Sequence, residues 1–156
     1  MIEITIPGFG TAKLEHLVSD FTGTLSIDGR LIPGVKEQLN RLAEVLSLHI
    51  ITADTFGTAR EELRDLPLKT VVITGADQDL QKEAYVKKLG QDHVVAVGNG
   101  NNDRRMLNCA RLGIAVIEGE GASAQAIMAA TVVVRSITDA FALLLNTTRC
   151  TATLRF

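Results

Sequence analysis

The sequence predicts an α/β fold in three layers, with helices on both faces of a mostly parallel sheet. From residue 13 onward, short apolar runs alternate with segments of helical periodicity. Those helices supply the crossover connections that parallel strands need. The polar residues that break the pattern fall just past predicted strand ends, the edge where open α/β sheets bind ligands.

Taken in order, Ile2–Ile6 reads as an extra edge strand or hairpin arm, interrupted by Pro7-Gly8. Leu14–Val18 is the first strand of the sheet. Pro33 opens a helix in which Val35, Leu39, Leu42 and Leu46 recur at helical spacing, with Lys36, Glu37, Asn40 and Arg41 between them. Leu48–Thr52 is the next strand, followed by a helix over about Thr55–Leu63, and Thr70–Thr74 is the third. A helix from about Asp77 ends at Gly90, which suits a left-handed cap. His93–Val97 is a strand and Asp103–Ala110 a short helix. Gly113–Ile117 and Thr131–Val134 are strands on either side of an Ala-rich helix, Ser123–Ala130. Ser136-Ile137-Thr138-Asp139 resembles a capping box before a helix over Ala140–Leu145. The polar tail, Thr147–Phe156, reads as a terminal strand or disordered. The sheet is Rossmann-like.

A chain of 156 residues, 46% hydrophobic and 22% charged, can bury one substantial core, and no repeat or linker divides it. One domain over 1–156 is expected, its core spanning about 13–145. A net charge of −2 gives no electrostatic pull toward nucleic acid or an anionic membrane. No apolar run approaches the roughly 18–20 residues that cross a bilayer. The start, MIEITIPGFG, lacks a basic n-region and a long apolar stretch. Neither a nucleic-acid nor a membrane partner is therefore expected, and a cytoplasmic location is. Cys109 and Cys150 lie far apart without metal-ligand spacing and read as free thiols. His16, His49 and His93 stand singly beside apolar runs, as packing or edge residues.

Chemistry concentrates in four places. Asp20-Phe21-Thr22-Gly23-Thr24-Leu25 places a carboxylate at a strand end, followed at once by a Gly/Thr-rich turn. Such a carboxylate can be a nucleophile toward phosphorus, although by itself it equally well starts a turn. Thr52 ends the next strand in HIITAD. Lys82 lies on the helix after the third, where Lys87 and Lys88 compete with it. Asn99, Asn102 and Asp103 lie in VAVGNGNND. That loop is no dinucleotide fingerprint, because GxGxxG needs glycine where Asp103 stands, and it lacks the GK[ST] of a P-loop. A carboxylate, a hydroxyl, a cation and an acid/amide pair suit a phosphoryl group bound with a divalent metal.

These residues resemble the four motifs of the haloacid dehalogenase (HAD) superfamily: DFTGT, the Thr of TAD, Lys82 within Lys82-x3-Val86-x2-Leu89, and GNGNND. The likeness runs from residue 13 to about 135 and is strongest to the phosphorylation domain of P-type ATPases, whose motifs read DKTGT and GDGxND. Leu112-Gly113-Ile114-Ala115 and the small-residue helix Ala124–Ala130 fit that domain's continuation. The resemblance implies a HAD-like core acting through an aspartyl-phosphate with Mg²⁺. It makes Asp20 the nucleophile and a metal ligand, Thr22 a metal ligand through its carbonyl, and Thr52 a phosphoryl hydrogen-bond partner. Lys82 would neutralise charge between Asp20 and phosphate. Asp103, with Asn99 and Asn102, would hold Mg²⁺ directly or through water. The backbone N–H groups of Phe21, Thr22 and Ala53 are anion donors on the same reading.

Two positions depart from the pattern. Thr22 stands where most HAD phosphatases carry an Asp acid/base, a group typically worth about 10²–10⁴ in rate. P-type ATPases also have Thr there. Asn99 replaces the usual Asp and removes one negative charge from the metal site. The intervals from residue 20 to 52 and from 52 to 82 each hold one helix, one strand and short loops. Neither holds a cap domain or the nucleotide-binding domain of a P-type ATPase. An open site implies a large substrate such as a phosphoprotein, or a second subunit covering the entrance to a phosphorylated small molecule. The leading expectation is a Mg²⁺-dependent phosphatase working through Asp20, and the alternative is a slow or non-catalytic phosphoryl-sensing domain. A two-component receiver is disfavoured, since its phosphoacceptor would end the third strand, where this chain has Thr-Gly.

Overall fold

The computed structural model describes residues 1–54 and 57–156. The chain begins with a hairpin, β1 (Ile2–Ile6) and β2 (Gly10–Leu14), paired antiparallel from Ile2↔Leu14 to Ile6↔Gly10. Its alternation turns Ile2, Ile4, Ile6, Ala12 and Leu14 inward. The hairpin stays outside the main sheet. Glu15 separates it from β3 (His16–Asp20), so the apolar run beginning at Leu14 is divided between two strands.

After β3 comes a small hairpin the sequence pattern did not announce, β4 (Ser26–Ile27) and β5 (Arg30–Leu31). Then follow α1 (Val35–Ala43), β6 (Ser47–Thr52), α2 (Thr58–Glu62), β7 (Lys69–Val72) and α3 (Gln78–Leu89). The helix expected over about Thr55–Leu63 is found as α2, with Thr55 and Phe56 outside the described residues. The chain continues through β8 (Val94–Gly98), α4 (Arg104–Cys109), β9 (Leu112–Val116), α5 (Ala124–Ala129), β10 (Val132–Val134), α6 (Ile137–Leu145) and α7 (Thr147–Leu154). Gly90 closes α3 in the left-handed region, at φ 87°. Ser123 caps α5 and Ser136 caps α6, each hydroxyl accepting the N–H three residues on.

The tail corrects an expectation. Residues 147–154 form a helix, neither a strand nor disordered, and Cys150 is completely buried. Local Thr content favours extended chain, but the buried face of α7 against β1 outweighs it.

The main sheet has six parallel strands in the order β10-β9-β8-β3-β6-β7. Its residues alternate between two cores. Leu17, Leu48, Ile50, Val95, Val97, Leu112 and Ile114 face α1, α6, α7 and the first hairpin. Val18, Ile51, Val94, Ala96 and Ala115 face α3, α4 and α5. Complete burial of each Leu, Ile or Val among them contributes roughly 1.5–3 kcal/mol. The chain reverses its direction of travel across the sheet at β3, with β6 on one side and β8 on the other. That is the topological switch point, where a crevice opens beyond the carboxyl ends. Asp20, Thr52 and Gly98 end those three strands.

Candidate active site

Asp20 lies on the α3 side of β3, two residues after Val18. On α3, Gln78, Lys82 and Val86 are four residues apart and share one face. Lys82 and Val86 are its buried members. Lys82, only 1% exposed, carries its ammonium to the sheet edge. Nζ donates to Asp20 Oδ1 at 2.7 Å and to Asp103 Oδ1 at 2.6 Å. Lys87, by contrast, pairs with Glu83 on the surface. Burial thus separates Lys82 from its helical competitor.

Asp103 is held from beneath. A 3₁₀ turn over Asn101–Asp103 folds its side chain back, so that Oδ2 accepts the N–H groups of Asn99 and Gly100, each at 2.9 Å. Its carboxyl carbon would lie 2.5 Å from a Cβ at position 98, and therefore only glycine fits the end of β8. With Oδ1 on Lys82 and Oδ2 on two amides, Asp103 sits behind the ammonium and positions it.

Asn99 faces the other side of Asp20. The Thr24 hydroxyl is 3.3 Å from Asp20 Oδ2 and 3.1 Å from Asn99 Oδ1, so one buried O–H bridges the carboxylate and the amide oxygen. Asn99 Nδ2 donates to the Gly121 carbonyl at 3.0 Å. Asp20 Oδ2 and Asn99 Oδ1 thus both face the Thr24 hydroxyl, and they are oxygens of the hard kind that Mg²⁺ takes. Among the described residues, no three His, Cys, Asp or Glu side chains converge to hold a metal. A bound cation would draw on one carboxylate, one amide oxygen and backbone or water oxygens.

A cavity of about 310 Å³ opens here, lined by Asp20, Thr22, Thr52, Ala53, Gln78, Lys82, Asn99, Gly100 and Asn102. Thr52 is buried and its oxygen accepts the Asp54 N–H at 3.1 Å, which leaves its proton for a ligand. Thr22 is exposed at the mouth. Thr22, Thr52 and Ala53 also line a second cavity of about 330 Å³, whose wall includes Phe21, Asp28 and Thr58. The two cavities adjoin at those three residues. Asn102 donates to Gln78 Oε1 at 3.1 Å across the rim. Gln78 had no distinguishing mark in the sequence, because only the fold shows that it shares a helix face with Lys82.

Burial pushes the Asp20 carboxyl up to about 7, and the nearby Asp103 adds to the rise; the Lys82 ammonium and the Phe21 N–H oppose it. For Lys82, burial would lower the pKa, but Asp20 and Asp103 outweigh it and hold the ammonium above the usual lysine value. Two carboxylates sharing one buried cation form a strongly polarised site.

Three further acidic residues lie at the starts of α2 and α3. Asp77 precedes α3 and is exposed. Asp54 accepts the Ala59 N–H at 2.8 Å and so supports the first turn of α2. Asp79 instead forms ion pairs with Arg104 and Arg105, tying α3 to α4.

Comparison with known proteins agrees with this architecture. The profile of haloacid dehalogenase-like hydrolases matches residues 77–142. An uncharacterized protein of Methanocaldococcus jannaschii is 46% identical over 78 residues, half of this chain and 78% of that one. A probable copper-transporting ATPase of Arabidopsis thaliana is 33% identical over 112 residues, 70% of this chain but 11% of the transporter. Among solved structures, the 3-deoxy-D-manno-octulosonate 8-phosphate phosphatase of Moraxella catarrhalis superposes with a TM-score of 0.67. It is 19% identical, with 90% of each chain covered. The chain belongs to the haloacid dehalogenase superfamily, and it is similar to part of a P-type ATPase.

Proposed function

We propose that this protein is a Mg²⁺-dependent phosphatase that works through an aspartyl-phosphate at Asp20. The observation that carries the proposal is the buried Asp20–Lys82–Asp103 array, set in a cavity at the switch point of the sheet. A carboxylate oxygen of Asp20 would attack phosphorus, the bond to the leaving oxygen would break, and the leaving oxygen would take a proton from solvent. Water would then attack phosphorus and release phosphate, returning the electron pair to Asp20. Lys82 compensates charge on the phosphoryl oxygens throughout, and Thr52 and backbone amides near Phe21, Thr22 and Ala53 donate to them.

Asp20, Asn99 and the Thr22 carbonyl would hold the metal, with Asp103 reaching it through water. The metal would supply Lewis-acid neutralisation of the phosphoryl charge. The Moraxella phosphatase, solved in complex with magnesium ion, phosphate ion and a KDO molecule, supports this reading. Between β3 and β6 the chain adds only the β4–β5 hairpin and α1, and between β6 and β7 the described insertion is α2. The open mouth suits either a phosphoprotein or a phosphorylated small molecule covered by a second copy of this chain.

Turnover of p-nitrophenyl phosphate with and without Mg²⁺ tests the proposal. Asp20→Asn is expected to lower kcat by at least about 10³-fold, since the covalent route is lost. Undiminished activity in that variant would remove the mechanism. Thr22 favours a second reading, because this position brings no proton donor to the mouth. Stoichiometric labelling by acetyl phosphate without turnover would identify a phosphoryl sensor.

A further inference from the structure

Phosphoryl oxygens need donors, and the side chains of the cavity differ in how many they have free. Lys82 commits two of its three N–H groups to Asp20 and Asp103. Asn99 directs Nδ2 to the Gly121 carbonyl. Thr52 has one proton, and Asn102 keeps one N–H after bonding Gln78. Gln78 differs. Its Oε1 accepts from Asn102 at 3.1 Å, while its Nε2 meets no acceptor among the described residues. Accepting through Oε1 fixes the amide plane and leaves both N–H donors of Nε2 unengaged. Gln78 stands one helical turn before Lys82 on the same face of α3, and both line the 310 Å³ cavity.

We propose that Gln78 is a substrate-binding residue of this site, its amide N–H groups donating to the non-bridging oxygens of a phosphomonoester, with Asn102 holding the amide in position. This rests on the phosphatase reading above and adds to it a neutral donor at the rim, one helical turn from the buried cation. A neutral donor there binds the dianion without adding a second cation that would retain product phosphate.

Gln78→Glu separates the proposal from a structural role. Glutamate keeps an oxygen for Asn102 but has no donor and brings a charge that repels phosphate. In the Mg²⁺-loaded protein, Gln78→Glu is expected to raise KM for p-nitrophenyl phosphate and the inhibition constant of inorganic phosphate by more than about tenfold. Gln78→Ala should raise both by about tenfold, with kcat within about twofold and an unchanged melting temperature. Wild-type constants in Gln78→Glu would show that only the bond to Asn102 matters and would overturn the proposal. So would a fall in kcat and melting temperature together with unchanged phosphate inhibition. A wild-type protein that neither turns over p-nitrophenyl phosphate nor binds inorganic phosphate takes down the phosphatase reading itself, an outcome distinct from an active protein indifferent to position 78.

Discussion

Asn99 is where a single side chain changes the balance of the site most clearly. Its amide satisfies two neighbours at once, accepting from Thr24 and donating to Gly121. Asn99→Asp restores a second carboxylate beside Asp20 but turns an oxygen toward the Gly121 carbonyl. Without metal, that lost bond and added repulsion should cost about 1–3 kcal/mol. With metal, the added charge should lower the half-saturating Mg²⁺ concentration by about tenfold. Thermal melts in EDTA and in Mg²⁺, beside a Mg²⁺ titration of phosphatase activity, check both signs. A variant that is destabilised yet has an unchanged Mg²⁺ requirement would place the metal away from residue 99. At this scale the sequence exposes some residues and hides others. Asp20, Thr52 and Asn99 are legible because a polar residue interrupting an apolar run marks a strand end. Lys82 is set apart from Lys87 and Lys88 only by resemblance, because three lysines within seven positions of one helix carry no local mark of which is buried. Gln78 is invisible until α3 has been placed over the sheet.

At the scale of elements, the mostly parallel sheet followed from alternation and crossover geometry, whereas close approaches did not. Gly113 shows why. A Cβ there would stand 2.1 Å from the Leu107 carbonyl oxygen and 2.9 Å from its carbon, both backbone atoms of α4. Helix and strand touch with no side chain between them, which brings α4, and the Asp103 turn before it, down onto β8 and β9. In the sequence Gly113 is merely one small residue in Leu-Gly-Ile-Ala. Gly113→Ala forces the two elements apart and should destabilise the fold by about 3 kcal/mol or more, the upper range for overpacking, because backbone cannot rotate away. Urea unfolding measures it; a variant within about 1 kcal/mol of the parent would mean that α4 rides more loosely than the contact implies. The β4–β5 hairpin and α7 escaped the pattern for a related reason. Ser26–Leu31 is too short for periodicity, and the Thr-rich tail becomes helical through burial of Cys150.

For the molecule as a whole, the pH response should show a buried histidine on β6 that does not line the Asp20 cavity. His49 on β6 bonds the Tyr85 hydroxyl of α3 through Nδ1 at 2.9 Å, and its Nε2 lies 3.2 Å from His16 Nδ1 on β3. Lys69 of β7 is its cross-strand partner. Burial first, then His16 and Lys69, lower its pKa from 6.5 to about 4. Folded protein thus keeps His49 neutral while the unfolded chain takes up a proton below about pH 6.5. Stability from this residue is therefore complete above pH 6.5 and is lost as the pH falls toward 4, with no further loss beneath. The shift corresponds to a change on the order of 2 kcal/mol after allowance for partial solvent access. His49→Gln keeps a neutral polar side chain that does not titrate. The stability difference between parent and variant should fall by that amount between pH 7 and pH 4.5. Asp20 titrates in the opposite sense, since a raised carboxyl pKa favours the folded state at low pH, but it is present in both proteins and cancels from the difference. Urea unfolding at the two pH values reads the change directly. A difference that stays constant with pH would mean that His49 protonates as readily in the fold as in the unfolded chain, so that the His16–His49–Tyr85 chain opens to water.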